Sequence, residues 1–230
     1  MEVKELLSQY YENYDEDGRL VNRRSGQIEF ATTMRYIQKY LRSGDKVLDI
    51  GAGTGRYSLT LAGEGYDVTA VELVEHNLNI LKSKIKDFMN IRAFQGNALD
   101  LSALADASFD MTLMMGPMYH LFTETDKLRA LREAVRVTKP GGVLLVAYCI
   151  SDASIIEYGF CGGHIWELVD EELLNTETFV ARSEPKELFE LVRKSDIDCM
   201  IVGFPVKRLH YVAADGLSYF MRRDLEEMGQ

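Results

Sequence analysis

Apolar positions along the chain come in short blocks whose spacing switches repeatedly between a strand-like run and a helical three-to-four-residue period. Residues 2–14 carry helical spacing, and so do 27–42, through Ile28, Ala31, Met34, Ile37 and Leu41. Lys46–Ile50 is a short apolar strand that runs into glycines, and a helix follows over Arg56–Ala62. After the Gly63-Glu64-Gly65 break comes a second strand, Tyr66–Val71, then a helix over 75–88 with Leu78, Leu81, Ile85 and Phe88 on one face. Ile91–Gln95 predicts a third strand, and Phe109–Met115, almost continuously apolar, a fourth that is buried on both faces. Helix 124–138 turns Leu128, Leu131, Ala134 and Val135 inward until Lys139-Pro140-Gly141-Gly142 stops it, and Val143–Ile150 is the fifth strand.

Strand and helix alternating at this spacing predict an α/β fold: a mostly parallel sheet with helices on both faces, its ligand site at the loops that follow the strands. Periodicity weakens over 151–183 and returns with a helix at 184–196, carrying Leu188, Leu191 and Val192, and strands near 197–204 and 207–213. The expected sheet therefore has seven strands. One domain over 1–230 accounts for the pattern: an N-terminal helical arm (1–42), a ligand-binding core (43–150), an insertion or lid after the fifth strand (151–183), and a C-terminal helix with the last strands (184–230).

Composition adds exclusions. A 230-residue chain with 47% hydrophobic and 27% charged residues can bury a core without disulfide or metal staples, and it fits neither a disordered nor a coiled-coil class. The longest apolar run, Val143–Ile150, is far short of the ~20 residues a membrane helix needs, so no membrane partner is expected. No basic segment followed by an apolar one opens the chain, and Cys149, Cys161 and Cys199 form no paired motif; both point to a cytoplasmic setting. A net charge of −10, with no basic cluster longer than Arg23-Arg24 or Arg222-Arg223, argues against a nucleic-acid partner. A homodimer stays open.

The segment Val47-Leu48-Asp49-Ile50-Gly51-Ala52-Gly53-Thr54-Gly55 carries the chemistry: a strand running directly into a glycine-rich turn and then a helix. A dinucleotide fingerprint would need glycine at 56, where Arg56 stands. Asp49 would repel a pyrophosphate and attract an ammonium group. Glu72, at the end of the second strand, is placed to accept hydrogen bonds from both hydroxyls of a ribose. These features ask for a nucleoside with a cationic or zwitterionic tail and no phosphates, a description that S-adenosylmethionine meets.

The run VLDIGAGTGRYSLTLAGEGYDVTAVEL resembles the class I S-adenosylmethionine-dependent methyltransferases of the bacterial small-molecule type. The likeness continues through Gly96-Asn97-Ala98-Leu99-Asp100-Leu101, Phe109-Asp110-Met111 and the stretch from Leu131 to Gly142, so that it covers about residues 30–150. It implies a Rossmann-like fold and a cofactor site. Gly51, Ala52, Gly53 and Gly55 would form the loop against the methionine part, and Asp49 would hold its amino group. Glu72 would bind the ribose, Leu73 would lie beside the adenine, and Asn97 and the backbone of Ala98 would contact the adenine edge. Met115 and Gly116 would floor the pocket.

Tyr119 and His120 follow the fourth strand and are the candidate catalytic pair, His120 as a base or both as pocket wall. Tyr10, Tyr11, Tyr14 and Arg19 belong to an arm that can fold over the site, with Arg19 or Arg24 pairing a carboxylate. Tyr158, Phe160 and Trp166 are candidate lid or substrate residues. Cys161-Gly162-Gly163-His164 lacks a second ligand pair, so no metal is expected. The Met111, Met114, Met115 and Met118 cluster reads as core filling. Met115-Gly116-Pro117-Met118 lacks the polar residue and double proline with which DNA amino-methylating enzymes grip an amine, so a small-molecule acceptor is preferred. RNA or protein methylation, and a non-catalytic cofactor-binding sensor or assembly role, are the alternatives.

Overall fold

The computed structural model describes residues 3–216. An N-terminal arm consists of α1 (Val3–Asn13), the single turn α2 (Glu16–Arg19) and α3 (Arg24–Tyr40). The core then runs β1 (Lys46–Ile50), α4 (Arg56–Gly63), β2 (Asp67–Glu72), α5 (Glu75–Lys84), β3 (Ile91–Gln95), β4 (Phe109–Met114), a 3-10 turn at Pro117–His120, α6 (Glu124–Val137) and β5 (Thr138–Val146). Its five strands pair in the order β3-β2-β1-β4-β5, all parallel. The order reverses between β1 and β4, and the crevice above their C-terminal ends is where such sheets take ligands.

Both faces of the sheet are covered, which is why β1, β2 and β4 are buried at nearly every position. On one face Leu48, Ile50, Val71, Met114 and Met118 meet Ala130, Leu131, Ala134 and Val137 of α6. On the other, Val47, Val68, Met111 and Leu113 meet Ile37 of α3 and Leu61 of α4. Met111, Met114 and Met118 are thus core filling, while Met115 is only partly buried.

Described residues beyond the core depart from the expected seven strands. Five make the sheet; β6 (Cys149–Ile150) and β7 (Leu191–Val192) form a separate two-stranded parallel ladder. The fifth strand is correspondingly displaced: β5 starts at Thr138, directly after α6, and ends at Val146. The expected helix at 184–196 is a 3-10 turn, Pro185–Glu187, followed by Leu188 at φ +66°, a left-handed conformation that ends the turn before β7. The strand expected near 197–204 is largely replaced by α9 (Lys194–Met200), which buries Ile197 and Met200 at i, i+3 against the main core. Short apolar runs do not distinguish strand from helix, and tertiary burial decided this one. Residues 207–213 form no strand, and Leu209, Tyr211 and Val212 are exposed.

α5 ends at Lys84, four residues short of the expected span, and leaves Phe88 75% exposed. Within 151–183 lie α7 (Ser151–Ser154), a π-helical turn Ile155–Cys161 and α8 (Ile165–Asp170). Arg222-Arg223 lies outside the described residues. No helix among those described is long and apolar enough to cross a membrane.

Candidate functional site

The turn after β1 holds Gly51, Gly53 and Gly55 all at positive φ, 72°, 56° and 89°. They do different work. A side chain on Gly55 would strike Leu81 of α5 at 2.7 Å, so this glycine lets two helices approach rather than facing the cleft. Gly53 opens on the cleft, where a Cβ would find the Glu16 side chain of the arm 3.6 Å away.

Four of the loop's N–H groups are already committed. Gly51 and Ala52 donate to the Val71 carbonyl at 2.8 and 3.1 Å, Gly53 donates to the Glu72 carboxylate at 2.7 Å, and Gly55 donates to Ala52 at 2.9 Å. A phosphate cradle works by aiming such donors at the ligand. Here those of Gly51, Ala52 and Gly53 turn back into β2, and the charged residues lining the crevice are Glu16 and Asp49 with Arg19 and Arg56.

Three carboxylates converge. Asp49, 1% exposed, accepts a hydrogen bond from Ser58 at 2.6 Å; burial pushes its carboxyl up to about 6 despite that bond. Glu72 is buried and accepts from Gly53 and, at 2.8 Å, from Val74; burial raises it, the two backbone donors pull it down, and Asp49 and Glu16 raise it further. Glu16 is raised mainly by burial and pulled down by Arg19. Arg19 bonds Glu16 at 3.2 Å and forks onto Glu29 at 2.9 and 3.1 Å. Burial opposes its charge, and the two glutamates outweigh burial, so it stays a cation. The buried Tyr57 hydroxyl lines the same crevice with no partner at hydrogen-bond geometry, although Thr33 stands beside it.

The structure therefore brings together Asp49, Gly51, Ala52, Gly53, Met115, Gly116 and Tyr119 with Arg19 of the arm along one crevice. Glu72 borders it through Gly53. Leu73 is half-buried beside Glu72, with its carbonyl taken by the Gln95 side chain at 2.9 Å. Ala98 is buried in the core cluster. Asn97 is exposed, and its carbonyl oxygen accepts from Leu99 at 3.0 Å, closing its own turn.

His120 lies next to Tyr119 and contacts Tyr11. Tyr14 stacks on Tyr10 at 5.0 Å, within the arm. Tyr158 stacks on His164, which bonds Glu167 at 2.9 Å, and Trp166 is 74% exposed; neither Tyr158 nor Trp166 lines the crevice. Sequence alone gives no sign of Glu16 and Tyr57. Glu16 sits on a single helical turn in a polar segment, and Tyr57 reads as an ordinary apolar position of α4; only the fold aims both at the glycine loop.

Residues 47–142 match a methyltransferase domain family. A demethylmenaquinone methyltransferase of Tropheryma whipplei is 38% identical over 104 residues, 45% of this chain and 41% of that protein. A demethylmenaquinone methyltransferase of Bacillus licheniformis is 27% identical over 162 residues, 69% of this chain and 66% of that one. The chain thus spans between about two-fifths and two-thirds of the length of these relatives. In three dimensions it is similar to an S-adenosylmethionine-dependent methyltransferase of Methanosarcina mazei, with TM-score 0.56 and 23% identity over 72% of this chain and 81% of that one. A likeness at that identity speaks for the fold.

Proposed function

We propose that this chain, whose residues 47–142 match a methyltransferase domain family, is a class I S-adenosylmethionine-dependent enzyme that transfers a methyl group to a small-molecule acceptor. The observation that carries this reading is the commitment of the Gly51, Ala52 and Gly53 N–H groups to β2, beside three converging carboxylates that outnumber the two arginines of the crevice, Arg19 and Arg56. Such a crevice favours a ligand with positive charge over a diphosphate.

Asp49 is placed for the ammonium of an amino-acid tail. The unpartnered Tyr57 hydroxyl is the donor assigned to its carboxylate, Arg19 being held by Glu16 and Glu29. Glu72, both of whose oxygens keep acceptor capacity beyond the backbone bonds, is assigned to the ribose, with Leu73 and the backbone of Ala98 toward the base. Asn97 retains its amide N–H groups for the same edge. Met115 and Gly116 form the floor, and Gly51, Ala52 and Gly53 the wall. S-adenosylmethionine, when bound, supplies an activated methyl on a cationic sulfur.

The chain's own work is then alignment and exclusion of water. Tyr119 lines the crevice beside Gly116, and the arm roofs it through Glu16, Arg19 and Leu20. A small acceptor accords with the net charge of −10 and with the names of the relatives, both demethylmenaquinone methyltransferases. We assign the 43–150 segment as the donor-binding core, the described part of 1–42 as the arm over it, and 151–183 as an insertion after the core.

Titration calorimetry with S-adenosylmethionine, S-adenosylhomocysteine and NAD tests the reading. Binding of both sulfur compounds, and none of NAD, is expected; NAD binding with neither sulfur compound competing would overturn it.

A further inference from the structure

Beyond the carboxylates, a second group of side chains stands against Tyr119 and plays no part in holding the donor. His120 ends the 3-10 turn, and its Nδ1 lies 2.7 Å from the Leu188 carbonyl oxygen. A carbonyl can only accept, so Nδ1 carries the proton and Nε2 of the neutral ring presents a lone pair. The Tyr11 hydroxyl, from α1, lies 3.0 Å from Nε2 and donates to it. Aromatic rings enclose the pair: Tyr119 at 4.7 Å and Phe189 at 5.3 Å from the His120 ring, and Tyr10 edge-on to Tyr11 at 5.1 Å.

The loop that supplies Leu188 and Phe189 is itself fixed. Glu190 donates its N–H to the Tyr119 carbonyl at 2.7 Å, and its side chain meets the buried Lys127 of α6 at 2.6 Å, so those two charges cancel locally. On the arm side the charged groups are Glu16 and Arg19, already paired with each other; Glu72 and Glu16 act on the Tyr11 hydroxyl through space. Burial lowers the proton affinity of His120, and the bond to Leu188 is the only influence opposing it.

We infer that this box is the acceptor subsite, that the Tyr11 phenol holds the place of a phenolic hydroxyl of the acceptor, and that Nε2 of His120 receives that hydroxyl's proton. The inference rests on the methyl-donor reading above. Three arguments select the substrate class. An uncharged box of four aromatic residues around an imidazole suits a flat ring. A buried histidine with no carboxylate behind it is a weak base, matched to a phenol of pKa near ~10 and not to an aliphatic alcohol. An ammonium would find no anion at Nε2, and a carboxylate would meet a lone pair while Arg19 is held by Glu16 and Glu29.

In the step, an oxygen lone pair of the acceptor forms the new C–O bond as the S–CH3 bond breaks. The electrons of the breaking bond neutralise the sulfonium, and the phenolic proton goes to Nε2. The imidazolium so formed keeps its Leu188 bond and lies between the rings of Tyr119 and Phe189. Tyr11 must turn aside for the acceptor to enter, which makes it a competitor for His120 rather than a catalytic residue.

The test uses the full chain with S-adenosylhomocysteine bound and 2-naphthol as a fluorescent probe, with naphthalen-2-ylmethanol and 2-naphthylamine as size-matched controls. Tyr11→Phe keeps the ring and frees Nε2, so 2-naphthol should bind about three- to tenfold tighter than to the wild type, and both controls at least tenfold more weakly than 2-naphthol. With S-adenosylmethionine, His120→Gln should lower the rate of 2-methoxynaphthalene formation about a hundredfold and remove the rise of kcat/KM with pH that titrates below the ordinary histidine value. Unchanged or weaker 2-naphthol binding in Tyr11→Phe, or controls that bind equally well, would overturn the inference while the cofactor assignment stands. Failure of S-adenosylhomocysteine to bind would overturn both. Should His120→Gln not fold, the Tyr11→Phe titration decides alone.

Discussion

Two groups of side chains, one at the crevice and one packed beyond Tyr119, are built on opposite principles. At the crevice, Asp49 and Glu72 project from the central strands β1 and β2, buried, ionisable and fixed by hydrogen bonds with Ser58, Gly53 and Val74. Beyond Tyr119, Tyr11, His120 and Phe189 come from an arm helix, a 3-10 turn and a loop, and carry no charge at neutral pH. In the reading proposed above, the first group recognises a ligand by electrostatics imposed from a rigid sheet, and the second by ring shape and one directed lone pair. Donor binding and acceptor choice are therefore separable, and substitutions in one group should leave the other intact.

The hardest challenge to that division is Gly53→Val. A β-branched residue at φ +56° is strained and fills the space between the loop and Glu16, so calorimetry should find S-adenosylmethionine affinity reduced more than about a hundredfold while circular dichroism shows a folded protein. Wild-type affinity in this variant would remove the loop from the site.

Asp49→Asn separates binding from stability. The carboxyl is raised from 3.8 to about 6, so its neutral form is the one the folded state prefers. The associated stability is present below the unfolded value near 4 and is lost as pH rises through about 6. Asparagine should therefore make the unliganded protein more stable at pH 7, by about 1–3 kcal/mol in denaturant unfolding, while weakening the sulfonium ligand about 10–100-fold. In the wild type the same ionisation makes affinity fall as pH drops below about 6, approaching tenfold per unit. Affinity that stays level from pH 7 to 5 would detach Asp49 from the ammonium.

A finer probe is Tyr57→Phe. Its hydroxyl is buried without a partner, so removing it should not lower the unfolding midpoint, yet cofactor affinity should fall about three- to tenfold. A lower midpoint with unchanged affinity would make the hydroxyl a core group. The smallest effect is expected for Trp166→Ala: at 74% exposure and away from the crevice, it should change neither cofactor affinity nor 2-naphthol binding by more than about twofold.

The same division governs what can be read from sequence. β1, the glycine turn, α4 and β2 are contiguous, so strand periodicity, Asp49 and Glu72 together announce the donor end. Tyr119 and His120 are visible as a pair after β4, but the tautomer of His120 depends on Leu188, 68 residues away, and its partner Tyr11 is 109 residues away. Local pattern carries no information at such separations. The misplaced elements have the same origin: Leu191 and Val192 satisfy a helical period, yet pair with Cys149 and Ile150 because that ladder buries them, and α9 winds where a strand is expected because Ile197 and Met200 reach the core at i, i+3. Trp166 and Tyr158 stand out in the sequence as aromatic residues in an irregular stretch, and the fold leaves them facing outward.

The bonding of the glycine turn also limits how far this scaffold can be re-engineered. Replacing Arg56 by glycine would complete the letters of a nicotinamide-coenzyme signature, but not its physics, because the amides of Gly51 and Ala52 would still be tied to the Val71 carbonyl. Retargeting the protein to a redox coenzyme would require rebuilding the path of the chain between β1 and α4, so cofactor identity here is a property of backbone routing and not of any one side chain.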